Sequence, residues 1–295
     1  MGKAKQEGFK TRQMIKQQYI NKFYSLFMSN YEWEGIDYQA EDFLMRRFWA
    51  DGRVSVFKMK HTGLPIFTPY AEYDWNLYDY PVHITLIDKR GVGFIPQTPQ
   101  VVDKDVVIGF AQKSKKPIYE MIDWYSTKIA DVEMAIRQNL RAQKMPFIVK
   151  GDKYNEASFK NIVEKLNADD DFLFLQDDDN KIQVLLTGAP YITDKLYNYK
   201  QSLENEVLTY LGVNNLGTSE KKEHLITAEV NSNNELISQS GENFLSMMED
   251  FCERIKKVLD IDISVKIKAK DEEMIDLDLD LEEDEENKDM EGENV

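Results

Sequence analysis

Acidic residues are clustered in two places where a divalent cation could in principle sit. Asp169, Asp170 and Asp171 precede Asp177, Asp178 and Asp179, and Asp276, Asp278 and Asp280 alternate further on. A calcium loop spaces acids similarly, but it also needs a glycine at its sharp turn and a late bidentate glutamate. Neither cluster has the glycine. Turns and helix ends on a solvated surface account for the first, and an unstructured acidic tail for the second. His61, His83 and His224 lie far apart with no ligand spacing, and Gly91-Val92-Gly93 reads as a hairpin turn, not a phosphate loop. No GxxxxGK, HExxH, GxSxG or paired CxxC occurs, so the strong catalytic and metal signatures are missing. The expectation is no enzyme, no cofactor and no metal.

The basic residues tell more. Lys3, Lys5, Lys10, Arg12, Lys16 and Lys22 against Glu7 give the first 22 residues a net charge of +5. Lys195, Lys200, Lys221 and Lys222 surround a helix-like stretch, and in a monomer they are ordinary surface charges. The whole chain of 295 residues carries −16, but residues 271–295 hold 14 acids against one lysine, or −13, which leaves −3 for residues 1–270. The charge that argues against nucleic acid is therefore confined to the tail. A single cysteine, Cys252, excludes an internal disulfide framework, fits a reducing compartment and reads as a small buried helix residue. No apolar run approaches the ~20 residues of a membrane span, and the N-terminus lacks a signal-peptide core. A soluble protein made in a cytoplasm, without a membrane partner, is expected.

Periodicity supplies the elements that position these residues. Residues 1–10 read as a mobile basic arm. Met14, Ile15, Tyr19, Phe23, Leu26, Phe27 and Tyr31 then mark an amphipathic helix, and Phe43, Leu44 and Phe48 a second, over 41–49. Strand-like text begins at Val54, Val56 and Phe57; residues 81–97 read as a hairpin turning at 88–91, and 105–110 as another strand. Residues 53–111 are thus a small all-β barrel or sandwich, with Pro65, Pro69, Pro81, Pro96 and Pro99 between its strands.

From 116 to 144 the pattern is helical without a break, with Ile118, Ile122, Tyr125, Ile129, Val132, Ile136 and Leu140 in steps of three and four. Such a helix is roughly 43 Å long. It wants a neighbour. After Met145-Pro146, strands at 147–149, 172–175 and 182–186 with a helix at 158–166 make a compact β-α-β-β insert, its last two strands joined by a turn at 177–180. The chain returns along a helix capped by Thr193 or Asp194, carrying Leu196, Tyr199, Leu203, Val207, Tyr210 and Leu211, and stopped by Gly212. A polar connection of about thirty residues follows, a length usual only for functional or disordered loops. Phe244, Met247, Met248, Phe251, Ile255, Val258 and Leu259 describe a last helix, and Ile261, Ile263, Val265 and Ile267 alternate as a half-buried strand. In the tail, Ile275, Leu277, Leu279 and Leu281 alternate with acids and could add a strand if a partner offered an edge. Beyond about residue 282 the composition cannot offset its chain entropy.

Ala-Pro-Tyr-Ile-Thr-Asp-Lys-Leu at 189–196, Tyr-Leu-Gly at 210–212, Glu-Lys-Lys-Glu at 220–223, Glu-Val-Asn-Ser-Asn-Asn-Glu at 229–235 and Ser240-Gly241 occur in this order. Together they resemble the portal protein (upper collar, or head-tail connector) of small short-tailed bacteriophages of the Bacillus and Staphylococcus podovirus type. The resemblance extends through Asn-Tyr-Glu-Trp-Glu at 30–34, the run at 138–150 and Asp-Ile-Ser-Val-Lys-Ile at 262–267, covering about residues 15–268. It implies an α+β portal fold: basic arm 1–10; N-terminal helices and β-rich wing 11–115, containing a small SH3-like β-barrel; first stem helix 116–146; α/β clip 147–190; second stem helix 191–212; channel loop region 213–241; wing helix and strand 242–270; acidic tail 271–295, largely disordered.

The resemblance also implies a function. It points to a ring, a dodecamer, at one capsid vertex of the virion, assembled in the host cytoplasm, through which double-stranded DNA is packaged, retained and ejected. Partners implied are the major capsid protein, a lower collar or tail protein and, transiently, a packaging ATPase. Lys195, Lys221 and Lys222 fall on channel-facing positions of the family, and His224 stands where the family has an arginine. Leu186 departs from a further channel lysine, and one extra residue is needed between Leu216 and Ser219. The basic arm, with Lys3, Lys5, Lys10 and Arg12, is a candidate contact for the motor or nucleic acid. A different class also fits the composition: a nucleic-acid-associated regulator whose acidic tail mimics DNA. The long helix, insert and return helix disfavour it, since they suit side-by-side packing in a ring better than a monomer.

Overall fold

The computed structural model describes residues 3–88, 95–96, 98–144, 147–150, 183–186, 190–214 and 227–268. Helix α1 (Lys3–Ser29) leads into strand β1 (Tyr31–Glu34) and helix α2 (Tyr38–Asp51). Six strands follow: β2 (Arg53–Lys58), β3 (Pro65–Thr68), β4 (Tyr70–Trp75), β5 (Pro81–Leu86), β6 (Gln100–Val101) and β7 (Val106–Phe110). Then come α3 (Ile118–Lys144), β8 (Phe147–Lys150), β9 (Gln183–Leu186), α4 (Thr193–Tyr210), α5 (Thr227–Leu259) and β10 (Ser264–Ile267).

Strands β2–β7 form two antiparallel three-stranded sheets, ordered β3-β2-β7 and β4-β5-β6. Among the described residues they do not close into the SH3-like barrel expected from the resemblance, and the sandwich alternative describes them better. Closure needs a ladder at every seam. At one seam Pro69 stands between β3 and β4 with no N–H to give. At the other, only the isolated Val102–Val106 bridge crosses the turn before β7. The sheets face each other over Phe57, Tyr70, Ile84, Leu86, Val106, Ile108 and Phe110. The turn read at 88–91 falls largely outside the described residues; β5 pairs with the two-residue β6, His83 opposite Val101 and Ile84 opposite Gln100.

Alternation along β2 gives this sheet a second buried face. Val54 and Val56, with Val107 of β7, turn away from the sandwich and join Phe27, Phe48, Phe244 and Phe251 in the main core. Phe251 of α5 presses on β7 at Gly109, where an added Cβ would lie 2.6 Å from its ring. Arg254, on the same helix, donates to the Ile108 carbonyl (2.9 Å) and pairs with Asp103 (2.6 Å). The last helix therefore packs back on the β-rich part, as its apolar stripe predicts.

Several elements differ from expectation. Helix α1 begins at Lys3 and takes in most of the stretch read as a separate basic arm. Helix α5 begins at Thr227, so the long polar connection narrows to 215–226 outside the described residues. Its first turns, Thr-Ala-Glu-Val-Asn-Ser-Asn-Asn, carry no apolar period to announce a helix. The half-buried strand at 261–267 is real only from Ser264, and it pairs with β1, Tyr31 opposite Ile267 and Trp33 opposite Val265. Strands β8 and β9 of the insert pair antiparallel; the helix read at 158–166, the strand at 172–175 and the turn at 177–180 lie outside the described residues. No described helix is long and apolar enough to cross a membrane, and no cluster of metal-ligating side chains occurs among the described residues.

Candidate functional site

The long helix α3 finds its neighbours in α1 and α4, and the three helices pack as one layer. Ile118, Ile122, Ile129 and Val132 of α3 are buried with Ile20, Phe23 and Phe27 of α1 and Leu203, Val207 and Leu208 of α4 in one core. Apolar packing holds the layer, and the polar side chains fix its register.

Asn139 ties the far end of α3 to the start of α4. Its side-chain amide donates to the Pro190 carbonyl (2.9 Å), and its carbonyl oxygen accepts from the Ile192 backbone N–H (3.1 Å) and the Thr193 hydroxyl (3.0 Å). This replaces the cap expected from Thr193 or Asp194: residue 192 is the N-cap, and no side-chain cap bond forms there. The described chain thus enters and leaves the insert beside a single asparagine, whose position gives it no apolar period and hence no signal in the sequence.

Further along, charges from three helices converge. Tyr19 of α1 places its hydroxyl 3.2 Å from Glu133 of α3 and 3.3 Å from Glu204 of α4. Lys22 reaches Glu204 (2.6 Å) and Lys200 reaches Glu133 (2.9 Å). Burial, then Glu204 and Glu133, hold the Tyr19 hydroxyl far above its ordinary pKa, so it remains a proton donor. It has one proton for two carboxylates, and the lysines neutralise the remainder. Burial also raises Tyr125, with the Glu206 bond (2.8 Å) adding to it, to about 12.

The residues singled out in the sequence separate here. Lys195 lies exposed in the first turn of α4, with no ion pair to a described residue. Lys221, Lys222 and His224 lie outside the described residues. The backbones of Lys3 and Lys5 belong to α1, and Lys10 is exposed on it. Arg12 forms a two-pronged ion pair with Asp131 of α3, and Lys16 pairs with Asp123 (2.7 Å). The Asp131 bond raises Arg12, and the guanidinium in turn holds the Asp131 carboxyl below its ordinary range. His83 sits against Asp74 (2.8 Å) at a register shift between β4 and β5, and His61 is exposed. Cys252 is buried, and burial pushes its thiol up to about 12.

Helices α4 and α5 meet backbone against backbone at two glycines. Gly212 ends α4 at φ +68°, and a Cβ there would lie 2.5 Å from the Gly241 Cα inside α5. The sequence marked each glycine separately; only the fold brings them together.

The exposed aromatic residues Trp124 of α3 and Tyr197 of α4 were missed, and Tyr199, read with the apolar stripe of α4, is exposed instead. Trp124 is half exposed beside exposed Tyr119 and Met121, with Lys128 Nζ 3.5 Å above its ring; α4 exposes Tyr197 and Tyr199. Trp124 falls off the Ile118-Ile122-Ile129 stripe, and a large aromatic side chain off the buried stripe was the available signal. A second such group, Tyr73, Trp75, Leu77 and Tyr78, crowns the β4–β5 hairpin, where Leu77 is 98% exposed.

Comparison with known proteins gives this arrangement a lineage. A family profile described as Phage Connector (GP10) matches residues 3–272. Among solved structures, the portal and tail of native bacteriophage P68 is similar at 15% identity, with 91% of each chain covered and a TM-score of 0.46. An HK97-family phage portal protein from Corynebacterium diphtheriae is similar at 9% identity, covering 88% of this chain and 91% of its own, with a TM-score of 0.48. The family match spans every described helix and strand, from α1 to β10, and on that match this chain belongs to the phage connectors, the portal proteins of bacteriophages.

Proposed function

We propose that this chain assembles side by side into a dodecameric ring at one capsid vertex and serves as the conduit through which double-stranded DNA is packaged, retained and ejected. The observation that carries the proposal is the stem: two long antiparallel helices, α3 and α4, clamped at Asn139 around an insert and presenting exposed aromatic residues on their outer faces. In a monomer Trp124, Tyr197 and Tyr199 would face water, whereas packing against a second stem removes them from it.

A conduit must bind its cargo poorly. A groove that neutralised many phosphates would hold the duplex with strong, salt-dependent affinity. A body carrying only −3 over residues 1–270 avoids that, and each lysine repeated around a ring becomes a girdle of weak backbone contacts. Lys195, Lys221, Lys222 and His224 are proposed as those girdles, and the 213–241 region as a constriction. The insert at 147–190 is proposed to meet a packaging ATPase first and a tail collar afterwards. The energy of packaging comes from that ATPase.

Mass photometry with negative-stain imaging of the purified chain tests the ring. Uniform twelve-membered rings with a central hole are expected. Monomers alone, at high concentration and near-physiological salt, would count against self-assembly of this chain.

A further inference from the structure

Strand β10 has an open side. It pairs with β1 alone among the described residues, and the Lys268 amide continues that ladder to the Asn30 carbonyl. Antiparallel pairing therefore directs the backbone of Ser264, Lys266 and Lys268 to β1, and that of Val265 and Ile267 outward. An unpaired edge of this kind is a template for another strand. The side chains repeat the message. Val265 and Ile267 share the core face with Trp33 and Tyr31, yet Ile267 is 38% exposed while Tyr31 opposite it is 1% exposed. The core face is unfinished on the open side.

We infer that the segment 275–281 of a neighbouring copy of this chain pairs with that open edge, so that each protomer gives one strand and receives one. The segment reads Ile-Asp-Leu-Asp-Leu-Asp-Leu, a strict alternation without proline or glycine. No other stretch of the tail has it. Placed in phase, Ile275, Leu277 and Leu279 extend the face of Val265 and Ile267, and Asp276, Asp278 and Asp280 fall beside Lys266 and Lys268. Lys266 already holds Glu34 (2.8 Å) and Glu32 (3.6 Å) on its β1 side, and its three donors leave capacity for a carboxylate on the other. Out of phase by one residue, four aliphatic side chains would point to water, so the register is fixed.

Return of a protomer's own tail to the same edge lacks the turn. Residues 268–274 read Lys-Ala-Lys-Asp-Glu-Glu-Met, where Asp271 is the one turn-forming type and no glycine, asparagine, proline or serine accompanies it to complete a tight hairpin. Extended, six residues can span about 20 Å, enough to leave the protomer's own edge. A ring makes such an exchange natural, because donor and acceptor are different surfaces of one chain and the contact repeats head to tail until it closes. The inference rests on the ring reading above.

The test uses full-length rings. Hydrogen exchange of the Val265 and Ile267 amides is compared between the native chain and a variant with Ile275, Leu277, Leu279 and Leu281 all changed to Ser. At least tenfold faster exchange is expected in the variant, with the amides of Lys266 and Lys268 little changed. Donor and acceptor are then separated by co-expressing two chains. One carries Lys266→Cys and the four serines; the other carries the native tail with Asp276→Cys, Asp278→Cys or Asp280→Cys in turn. Cys252 is buried and does not compete. Mild oxidation should give a disulfide-linked dimer for at least one donor. A third chain carries Lys266→Cys and the same donor cysteine together. Cross-links formed only within that chain, with none between the co-expressed pair, would overturn the exchange in favour of the protomer's own tail, and unchanged exchange at Val265 and Ile267 would leave the edge vacant and overturn the pairing. Loss of rings in the native chain is a separate failure, that of the ring reading.

Discussion

Gly212 and Gly241 meet backbone against backbone, and the contact is asymmetric. A methyl group on Gly212 would sit 2.5 Å from the Gly241 Cα at a φ of +68°, whereas one on Gly241 meets nothing closer than 3.7 Å. Gly212→Ala should therefore cost about 1–3 kcal/mol through strain alone, and more through the collision. Gly241→Ala should be neutral or gain up to about 1 kcal/mol, because alanine is the better helix residue. Urea unfolding of both variants decides it; equal losses would mean that the close approach is misplaced.

The paired lysines Lys221 and Lys222 lie in the sequence between these two glycines. With Lys221 and Lys222 both changed to Ala, rings should assemble normally and particles should retain less DNA than wild type. Particle counts and encapsidated DNA after storage measure the two effects separately. Normal retention would remove the loop from the channel.

Asn139→Ala strips three hydrogen bonds from the junction of α3 and α4. The partners lie near the surface, where water replaces much of what is lost, so a cost of about 1 kcal/mol is expected. The local signature is sharper than the global one. Exchange at the Ile192 amide should speed up markedly while the buried middle of α4, around Leu203 and Val207, keeps its protection.

Arg12 and Asp131 give a pH dependence with a definite sign. Asp131 titrates lower in the folded chain than unfolded because the Arg12 guanidinium binds its charged form. The stability it contributes is present above the unfolded carboxyl range and lost as pH falls through the lowered folded value. Both groups are substantially exposed, so the contribution is about 0–1 kcal/mol. Arg12→Met should therefore differ slightly from wild type at pH 7, and the difference should shrink in 1 M salt and fade as pH falls through the lowered Asp131 range. A loss of DNA or motor binding out of proportion to that small effect would restore a direct contact for Arg12.

Cys252 should resist modification. Its thiol is buried and raised to about 12, so at pH 8 almost none is thiolate. Reaction with a disulfide reagent should be far slower in the native chain than in urea, and its rate should follow unfolding.

The sequence made some of this legible and hid the rest for physical reasons. Helix α3 was plain because Ile118, Ile122, Ile129 and Val132 bury one continuous stripe, and β2 and β7 because β-branched residues crowd them. Strand β4 was not, since Tyr73 and Trp75 face water and blur the alternation. The opening of α5 was hidden by an asparagine-rich stretch of weak helix formers, held in helix by the turns that follow. The cap at 192 comes from Asn139, 53 residues away, and no local rule finds such a partner. Of the candidate site, composition announced the basic residues; their pairing with Asp123, Asp131 and Glu204 needed the helices to be docked.

The pairing of β1 with β10 joins residues 230 positions apart, as Glu34 and Ser264 are. Everything between them, the strands β2–β7 as well as the long helices and the insert, is a closed excursion from this two-stranded sheet. During synthesis the wing cannot complete itself until the ribosome has released residue 267, because Tyr31 and Trp33 have no strand to lie against before then. Domains that close late stay unassembled while they are being made. A prematurely terminated chain lacks β10 and leaves Tyr31 and Trp33 without the strand that covers them.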